Sequence, residues 1–212
     1  MARQPLTLRR LSGLDRSGPP PPETRAGAPL RPWTIPNAIG FVRAVLIPVF
    51  LILAFNSDSG TDPLPAIIFA IVGWGDYADG IAARVTGQYS RLGAILDPIV
   101  DRSLVLSGLV VCWHFELLPH WAIALLAVRE AIMLAVGPPL VRRGVELKIN
   151  WPGRIGVGPV MSGIFFALCG VKTLAEIFFY AGLALTIWAT VLYARTAVEQ
   201  LSGSRRRSAP ER

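Results

Sequence analysis

Four aspartates have the residue type and the spacing needed for chemistry on a phosphate group. Asp76 and Asp79 lie three positions apart, and Asp97 and Asp101 lie four apart, so each pair occupies one face of a helix. Where two such faces meet, the four like charges repel one another unless cations neutralise them. Oxygen ligands without a nearby His or Cys favour Mg²⁺, Mn²⁺ or Ca²⁺ over Zn²⁺. The spacing therefore predicts a site for divalent cations.

Small residues and an arginine accompany these carboxylates. Gly80 and Ala83 continue the face of the first aspartate pair, and Gly93 precedes the second pair. Glycine weakens a helix interior by roughly 1 kcal/mol relative to alanine, which indicates that a ligand needs the space, although glycines also permit close helix packing. Arg84 offers a planar donor suited to phosphate, although arginines at span ends also snorkel to the interface. With metal ions, these residues predict a diphosphate site.

The segments that carry these residues are apolar enough to lie in a membrane, where an unpaired carboxylate costs several kcal/mol. Hydrophobic residues make up 52% of the 212 residues, and the mean hydropathy is +0.49. Several stretches reach the length of about 20 residues that a bilayer requires. The chain is therefore predicted to be an all-α, polytopic membrane protein. Asn37 is expected to cap its first helix, and the alternative is that it approaches the nucleotide site. The six predicted transmembrane spans are Ala38–Phe55, Leu64–Val85, Leu92–Trp113, Trp121–Val141, Arg154–Val171 and Leu174–Tyr193.

Basic residues are distributed unevenly between the two sides of these spans. Six arginines precede the first span, Arg84 and Arg91 flank the link between the second and third, and Arg205 to Arg207 follow the last, whereas the opposite loops hold Lys172. Because positive residues are retained inside, we expect both termini and the carboxylates at the cytoplasmic side of the cell (inner) membrane. The net charge of +7 is dispersed over tails and loops, which favours contact with anionic membrane lipids over nucleic acid.

The composition also divides the chain into three parts. Residues 1–32 are rich in Pro, Arg and Gly and are predicted to be a disordered, basic cytoplasmic tail. Residues 33–200 form the predicted six-helix transmembrane catalytic domain. Residues 201–212 are predicted to be a second basic cytoplasmic tail, also disordered.

The aspartate-rich region resembles the complete signature of the CDP-alcohol phosphatidyltransferases, integral membrane enzymes of phospholipid synthesis. All eight fixed positions match, in the order Asp76-x2-Asp79-Gly80-x2-Ala83-Arg84-x8-Gly93-x3-Asp97-x3-Asp101. The segment IPNAIGFVRAVLIPVF (Ile35 to Phe50) is similar to the first membrane helix of that family. The segments SRLGAILDPIVDR and AVREAIML are similar to the branch of phosphatidylglycerophosphate synthases and actinobacterial-type cardiolipin synthases. The resemblance covers residues 33–200 and implies the CDP-alcohol phosphotransferase fold.

The resemblance implies a reaction and a set of roles. Members of the family transfer the phosphatidyl group of CDP-diacylglycerol to an acceptor hydroxyl and release CMP, with two divalent cations, Mg²⁺ or Mn²⁺. It implies that Asp76, Asp79 and Asp97 are metal ligands, and that Asp101 is both a ligand of the second metal and the general base. Homodimers are frequent in the family. The CDP-binding residues that it implies are Asp79, Gly80, Ala83, Arg84 and Gly93.

The acceptor is expected to be of the glycerol type. Glycerol 3-phosphate, which would give phosphatidylglycerol phosphate, is the first choice, and phosphatidylglycerol, which would give cardiolipin, is the alternative. Two departures from the usual phosphatidylglycerophosphate synthase pattern count against the first choice: Arg102 stands where lysine is common, and NWPGRIGVG (Asn150 to Gly158) lacks a lysine-threonine pair. A cation or proton transporter is a remote alternative, because transporters also hold intramembrane acids.

Basic residues near the cytoplasmic face are expected to bind the phosphate of the acceptor. Arg129 is notable because a charge within a span needs either a partner, such as its neighbour Glu130, or a ligand. The candidates for acceptor binding are Arg129, Arg142, Arg154 and Arg195.

Overall fold

A computed structural model describes the backbone of residues 22–24, 27–142 and 151–207, and the side chains of residues 22–24, 27–136, 155–198 and 200. In this part of the chain, the secondary structure consists of α-helices and a short 3-10 turn at Pro22–Thr24, without a β-strand, which confirms the all-α class. The helices are α1 (Ile35–Phe55), α2 (Pro63–Thr86), α3 (Arg91–His114), α4 (His120–Arg142), α5 (Trp151–Leu168) and α6 (Lys172–Arg207).

The start of α1 differs from the prediction. Thr34 is the N-cap residue: its backbone is extended, and its side chain accepts a hydrogen bond from the backbone N–H of Asn37. The expectation that Asn37 caps this helix was therefore wrong. The Asn37 side chain is buried and forms other hydrogen bonds, described below.

The link between α2 and α3 turns the chain sharply. Gly87, directly after α2, has φ +65°, a left-handed conformation that glycine adopts without the steric cost paid by other residues. Three residues separate Gly87 from Arg91, where α3 begins. The tight link keeps the end of α2 and the start of α3, which carry the two halves of the signature, close to each other.

The protein is an integral membrane protein. Among the residues that the structure describes, three stretches are long and apolar enough to cross a membrane, and Ile155–Leu168 is a shorter apolar stretch. The α3 and α4 helices carry charged side chains in their interiors, which lowers their apolar character. The count of six spans stays a prediction. The three candidate spans are Ile35–Phe55, Pro63–Thr86 and Lys172–Val198.

The helices fall into two compact units, the first ending at Val111 and the second starting at Cys112. In the first unit, α1 packs on α2, and the rings of Phe50 and Phe69 lie 5.5 Å apart between centroids. The organisation of residues 33–200 as one catalytic domain stays a prediction.

In the second unit, α5 packs on α6 at glycine positions. A Cβ atom on Gly163 would lie 2.6 Å from the backbone nitrogen of Phe179, and one on Gly182 would lie 2.5 Å from that of Val160. These helices therefore approach backbone to backbone, as small residues allow in membranes.

The C-terminal segment also differs from the prediction. The α6 helix continues to Arg207, so residues 201–207 are helical, and the prediction of disorder from residue 201 was wrong. Extending an existing helix avoids the cost of nucleation, and basic residues in a last turn interact favourably with the helix dipole. Most of the N-terminal tail and residues 208–212 lie outside the described residues.

Candidate active site

The site begins with a buried stripe along α1. An arginine lies on this stripe: Arg43 is only 2% exposed. A charged side chain inside a membrane helix is costly unless it has a partner. The buried residues of the stripe recur every three or four positions, as one helix face does; they are Asn37, Gly40, Arg43, Ile47, Phe50 and Ala54.

Arg43 finds its partners on α2 and α3. Its Nε donates to the backbone carbonyl of Val72 at 2.9 Å. Its Nη1 donates to Oδ2 of Asp79 at 2.8 Å, and its Nη2 donates to Oδ1 of Asp101 at 2.5 Å. Nη1 also lies 3.5 Å from Oδ1 of Asp76. A single guanidinium therefore joins three helices and contacts three of the four motif carboxylates.

Gly75 makes room for this arginine. A Cβ atom on Gly75 would lie 2.7 Å from Cδ and 2.9 Å from Cγ of Arg43, closer than atoms can pack. Val72, Gly75 and Asp79 share one face of α2 because their spacing follows the helical period. This face is thus shaped to take the stem of Arg43 and to present a carbonyl and a carboxylate to its head.

The structure brings the four motif aspartates together, as their spacing predicts. Asp79 interacts electrostatically with Asp76 and Asp97, and Asp97 does so with Asp76 and Asp101. Asp79 is buried, whereas the side chains of Asp76 and Asp101 are 50% and 45% exposed. Arg43 can offset only one carboxylate charge, so the carboxylates of this cluster outnumber Arg43.

The donor atoms of this cluster suit a hard divalent cation. Four carboxylates supply oxygen ligands alone, the set that Mg²⁺ and Mn²⁺ prefer. In the described part of the chain, no three His, Cys, Asp or Glu side chains are arranged so as to hold a metal ion. Carboxylates of the cluster are instead turned toward Arg43. The assignment of metals to this cluster stays a prediction.

The small residues of the signature lie against side chains of the protein itself. A Cβ on Gly80 would lie 3.3 Å from Nη1 of Arg84, and a Cβ on Gly93 would lie 2.8 Å from Oδ1 of Asn37. Arg84 is half-buried in the last turn of α2, and Ala83 precedes it. The two glycines therefore have a packing role, and their role in binding CDP, like that of Ala83 and Arg84, stays a prediction.

Asn37 ties the segment before α1 to the start of α3. Its Nδ2 donates to the carbonyls of Arg31 and Pro32 at 2.9 and 3.1 Å. Its Oδ1 accepts a hydrogen bond from Oγ of Ser90 at 2.8 Å, and the same Oγ accepts one from the backbone N–H of Gly93 at 2.9 Å. Asn37 and Ser90 are both buried. These bonds fix the position of Gly93 beside α1.

Sequence reasoning missed Arg43 and Ser90. The signal for Arg43 was present, because it is a charge near the middle of an apolar span, and such a charge needs a partner. It also shares a helix face with Asn37 and Phe50. The carboxylates were expected to meet cations, and one of those cations is this side chain. Ser90 carried no such signal, since serine is ordinary in a turn.

The candidates for acceptor binding are in different situations. Arg129 on α4 forms an ion pair with Glu130, and its Nε donates to Oγ1 of Thr190 on α6 at 3.0 Å. Arg195 is exposed on α6. The side chains of Arg142 and Arg154 lie outside the described residues. The ion pair accounts for the burial of Arg129, and acceptor binding by any of these arginines stays a prediction.

The helices and the aspartate cluster indicate an all-α integral membrane protein whose acidic cluster lies on α2, a candidate membrane span, and on α3. Comparison with known proteins then identifies the family. A family model described as CDP-alcohol phosphatidyltransferase matches residues 33–188. The chain belongs to this family and is a phosphatidyltransferase, as its eight-position signature predicts.

Individual relatives fall in the branch that the sequence resembles. The chain is 34% identical to a cardiolipin synthase (CMP-forming) of Streptomyces coelicolor, over 77% of this chain and 82% of the relative. It is 31% identical to a "probable phosphatidylglycerophosphate synthase" of Mycobacterium tuberculosis, over 80% and 84%. It is 29% identical to a CDP-diacylglycerol--glycerol-3-phosphate 3-phosphatidyltransferase of Salmonella typhimurium, over 82% and 96%.

Proposed function

We propose that this protein transfers the phosphatidyl group of CDP-diacylglycerol to the hydroxyl of a glycerol-type acceptor and releases CMP. The observation that carries the proposal is the meeting of the four signature aspartates around Arg43, where carboxylates outnumber the arginine. The names of the relatives support the same reaction class. One names CDP-diacylglycerol and glycerol 3-phosphate as substrates, and the other names a CMP-forming synthesis of cardiolipin.

We propose that the cluster binds two divalent cations, Mg²⁺ or Mn²⁺. Arg43 contacts one oxygen of Asp79 and one of Asp101, and each carboxylate has a second oxygen that Arg43 does not contact. When bound, such metals would neutralise the charge of the diphosphate and of the leaving CMP. The proposed metal ligands are Asp76, Asp79, Asp97 and Asp101.

The side chains of the cluster have separate roles in the proposed reaction. Asp101, whose side chain is 45% exposed, accepts the proton of the acceptor hydroxyl as general base. Arg84 donates to the diphosphate of the donor lipid, and Gly80, Ala83 and Gly93 border the nucleotide together with Asp79. Arg43 supports these groups from the buried side.

Two acceptors have specific support. Glycerol 3-phosphate is the first, because two of the relatives above carry names for synthesis of phosphatidylglycerol phosphate. Phosphatidylglycerol is the second, because the Streptomyces relative is a cardiolipin synthase, and because Arg102 and the Asn150 to Gly158 segment depart from the usual pattern of the first group. Identities of 34%, 31% and 29% differ too little to separate the two.

The membrane arrangement is part of the proposal. Six spans, with both termini and the aspartate cluster on the cytoplasmic side of the cell membrane, agree with the distribution of basic residues. The acceptor phosphate would then meet arginines at that side, and two copies of the chain would associate as homodimers. The arginines proposed for the acceptor are Arg129, Arg142, Arg154 and Arg195.

The test is an assay of the purified protein with CDP-diacylglycerol and Mn²⁺ or Mg²⁺, with glycerol 3-phosphate or phosphatidylglycerol in parallel. CMP and lipid products are followed by mass spectrometry, and donor, acceptor and metal are each omitted in turn. We expect CMP release only when all three are present. Product from phosphatidylglycerol alone would make the protein a cardiolipin synthase. If neither acceptor supports CMP release, the glycerol-type assignment is overturned. Cation flux into liposomes without CDP-lipid would favour a transporter.

A further inference from the structure

The seat of Arg43 is more elaborate than charge neutralisation requires. All three guanidinium nitrogens are engaged: Nε with a backbone carbonyl of α2, Nη1 with Asp79 and Nη2 with Asp101. A cation that only offsets charge needs no fixed plane, and a lysine would serve. Here the anchor on the Val72 carbonyl fixes the plane of the guanidinium relative to α2.

We propose that Arg43, seated against Gly75, is a positioning residue that holds one oxygen of Asp79 and one of Asp101, so that divalent cations take their ligands from the oxygens that Arg43 does not contact. This inference rests on the proposed function. Arg43 acts from the buried side and through the two aspartates, so it is not itself a catalytic residue. Hydrogen-bonded partners behind metal-binding carboxylates commonly orient the ligands and tune their affinity.

Arg43 links two helices that carry like charges. Asp79 belongs to α2 and Asp101 to α3, and the two charges would drive these helices apart. Because Nη1 and Nη2 are held in one rigid plane, the two contacted oxygens are held at a fixed separation. The remaining oxygen of each carboxylate is thereby confined to the vicinity of the contacted one, since both are bonded to the same carbon atom.

Burial confines the Arg43 side chain. Arg43 is 2% exposed, and its Cγ and Cδ pass within 3 Å of the position that a Cβ on Gly75 would occupy. The stem is thereby confined, and the head is held by three hydrogen bonds. We therefore expect the arginine to stay in the cluster when a metal or a phosphate arrives.

Gly75 supplies a test that changes no charge. Alanine at this position would place its Cβ 2.7 Å from Cδ of Arg43, and these stem atoms cannot move aside while the head keeps its three partners. Gly75→Ala should therefore displace the guanidinium while all four aspartates and the arginine stay in the chain. Gly158→Ala is the matched control, because a Cβ there meets no atom within 4 Å.

The experiment measures Mn²⁺ binding to the purified full-length protein by the loss of the free-ion EPR signal. We expect Arg43→Lys and Gly75→Ala each to weaken Mn²⁺ binding by about tenfold to 100-fold, and Gly158→Ala to bind as the wild type does. The lysine variant keeps the charge, so a loss in it reports lost geometry rather than lost neutralisation. The thermal unfolding of each variant without metal shows that it is folded.

The outcomes separate this inference from the proposed function. If the wild type binds Mn²⁺ and releases CMP, but the two variants bind Mn²⁺ equally well or more tightly, the positioning role is overturned and the proposed function stands. Tighter binding would mean that Arg43 competes with the metal. If the wild type binds no Mn²⁺, the metal assignment itself fails, and the positioning role fails with it.

A double variant covers the case in which Arg43→Lys does not fold. If Gly75 matters because it accommodates Arg43, Gly75→Ala should change Mn²⁺ affinity in the wild type but not in an Arg43→Ala background. An equal loss in both backgrounds would show that Gly75 acts by another route and would overturn this part of the proposal.

Discussion

Two arginines lie within helices of this membrane protein, and their surroundings differ in charge. Arg43 contacts three carboxylates in a cluster of four, so carboxylates outnumber the arginine in this cluster. Arg129 pairs with the adjacent Glu130 and contacts the neutral Thr190, so this pair contains one charge of each sign. The two arginines therefore differ in the number of carboxylates that they contact.

The contrast between Arg43 and Arg129 shows how a structural ion pair differs from a site that binds a ligand. Both arginines satisfy the rule that an intramembrane charge needs a partner. The informative quantity is the charge left over after pairing, because an imbalance favours the binding of a ligand from outside the chain. By this measure the Arg43 cluster is the stronger candidate for the site of chemistry, and a role of Arg129 in acceptor binding stays a prediction.

Among the substitutions considered, that of Asp101, a carboxylate partner of Arg43, should have the greatest effect on activity. Asp101→Asn preserves size and removes the proposed base, so the rate of CMP release at saturation should fall by about 10²–10⁴-fold. Asp62→Asn is the control, since Asp62 lies at the start of α2 and forms no side-chain capping bond. Full CMP release by the Asp101 variant would show that this aspartate is not the base.

Breaking the ion pair of Arg129 should reduce stability. Arg129→Met leaves Glu130 without its charged partner, and loss of one member of a buried pair costs about 3 kcal/mol in the free energy of unfolding. The double variant Arg129→Met/Glu130→Gln removes both charges and should recover most of that loss. Unfolding by denaturant in detergent measures both, and equal destabilisation by the single and double variants would refute the pairing argument.

An alanine at Gly163, in the second unit, tests a steric effect on stability alone. Gly163→Ala would bring a Cβ to 2.6 Å from the backbone of Phe179, and such overpacking should cost about 2 kcal/mol. Its effect should be confined to thermal stability, with Mn²⁺ affinity per folded molecule unchanged, unlike that of Gly75→Ala. Gly158→Ala again serves as control, and an equal loss of stability in that control would rule out the steric explanation.

Substitution of Arg129 should have the weakest effect, on the KM for the acceptor. Arg129→Lys keeps the charge but loses the planar fork, so we expect the KM for the acceptor to rise by about tenfold, as for one charged hydrogen bond, with the KM for CDP-diacylglycerol unchanged. Steady-state kinetics with each substrate varied in turn measures this. An unchanged acceptor KM would leave Arg129 with a structural role and direct attention to Arg195.

Much of the fold follows from the sequence because apolar length determines where membrane helices lie. The predicted span Leu64–Val85 corresponds to α2 (Pro63–Thr86), and Leu92–Trp113 corresponds to α3 (Arg91–His114). The meeting of the four aspartates follows from their spacing on these two helices. The partners of Arg43 were not predictable in the same way, because they lie 36 and 58 residues away, and local periodicity does not state which helix faces which.

Smaller differences have local causes. Thr34 and Asn37 are both good capping residues. The Asn37 side chain accepts a hydrogen bond from Ser90, which is distant in sequence, and Thr34 is the residue that caps the helix. The helical extension of α6 beyond residue 200 escaped prediction because its composition, with Gly203 and three arginines, resembles that of a tail.

The position of Arg43 also has a consequence for biogenesis. The arginine is synthesised before either of its main partners, and at about 5–20 residues per second the ribosome needs a few to about ten seconds to reach them. During that interval α1 must enter the bilayer with an unmatched charge, at a cost of about 3 kcal/mol. Of the three candidate spans, α1 has the highest mean hydropathy, which helps it to insert alone. The arginine that orders the finished site therefore makes the first helix dependent on the arrival of the next two.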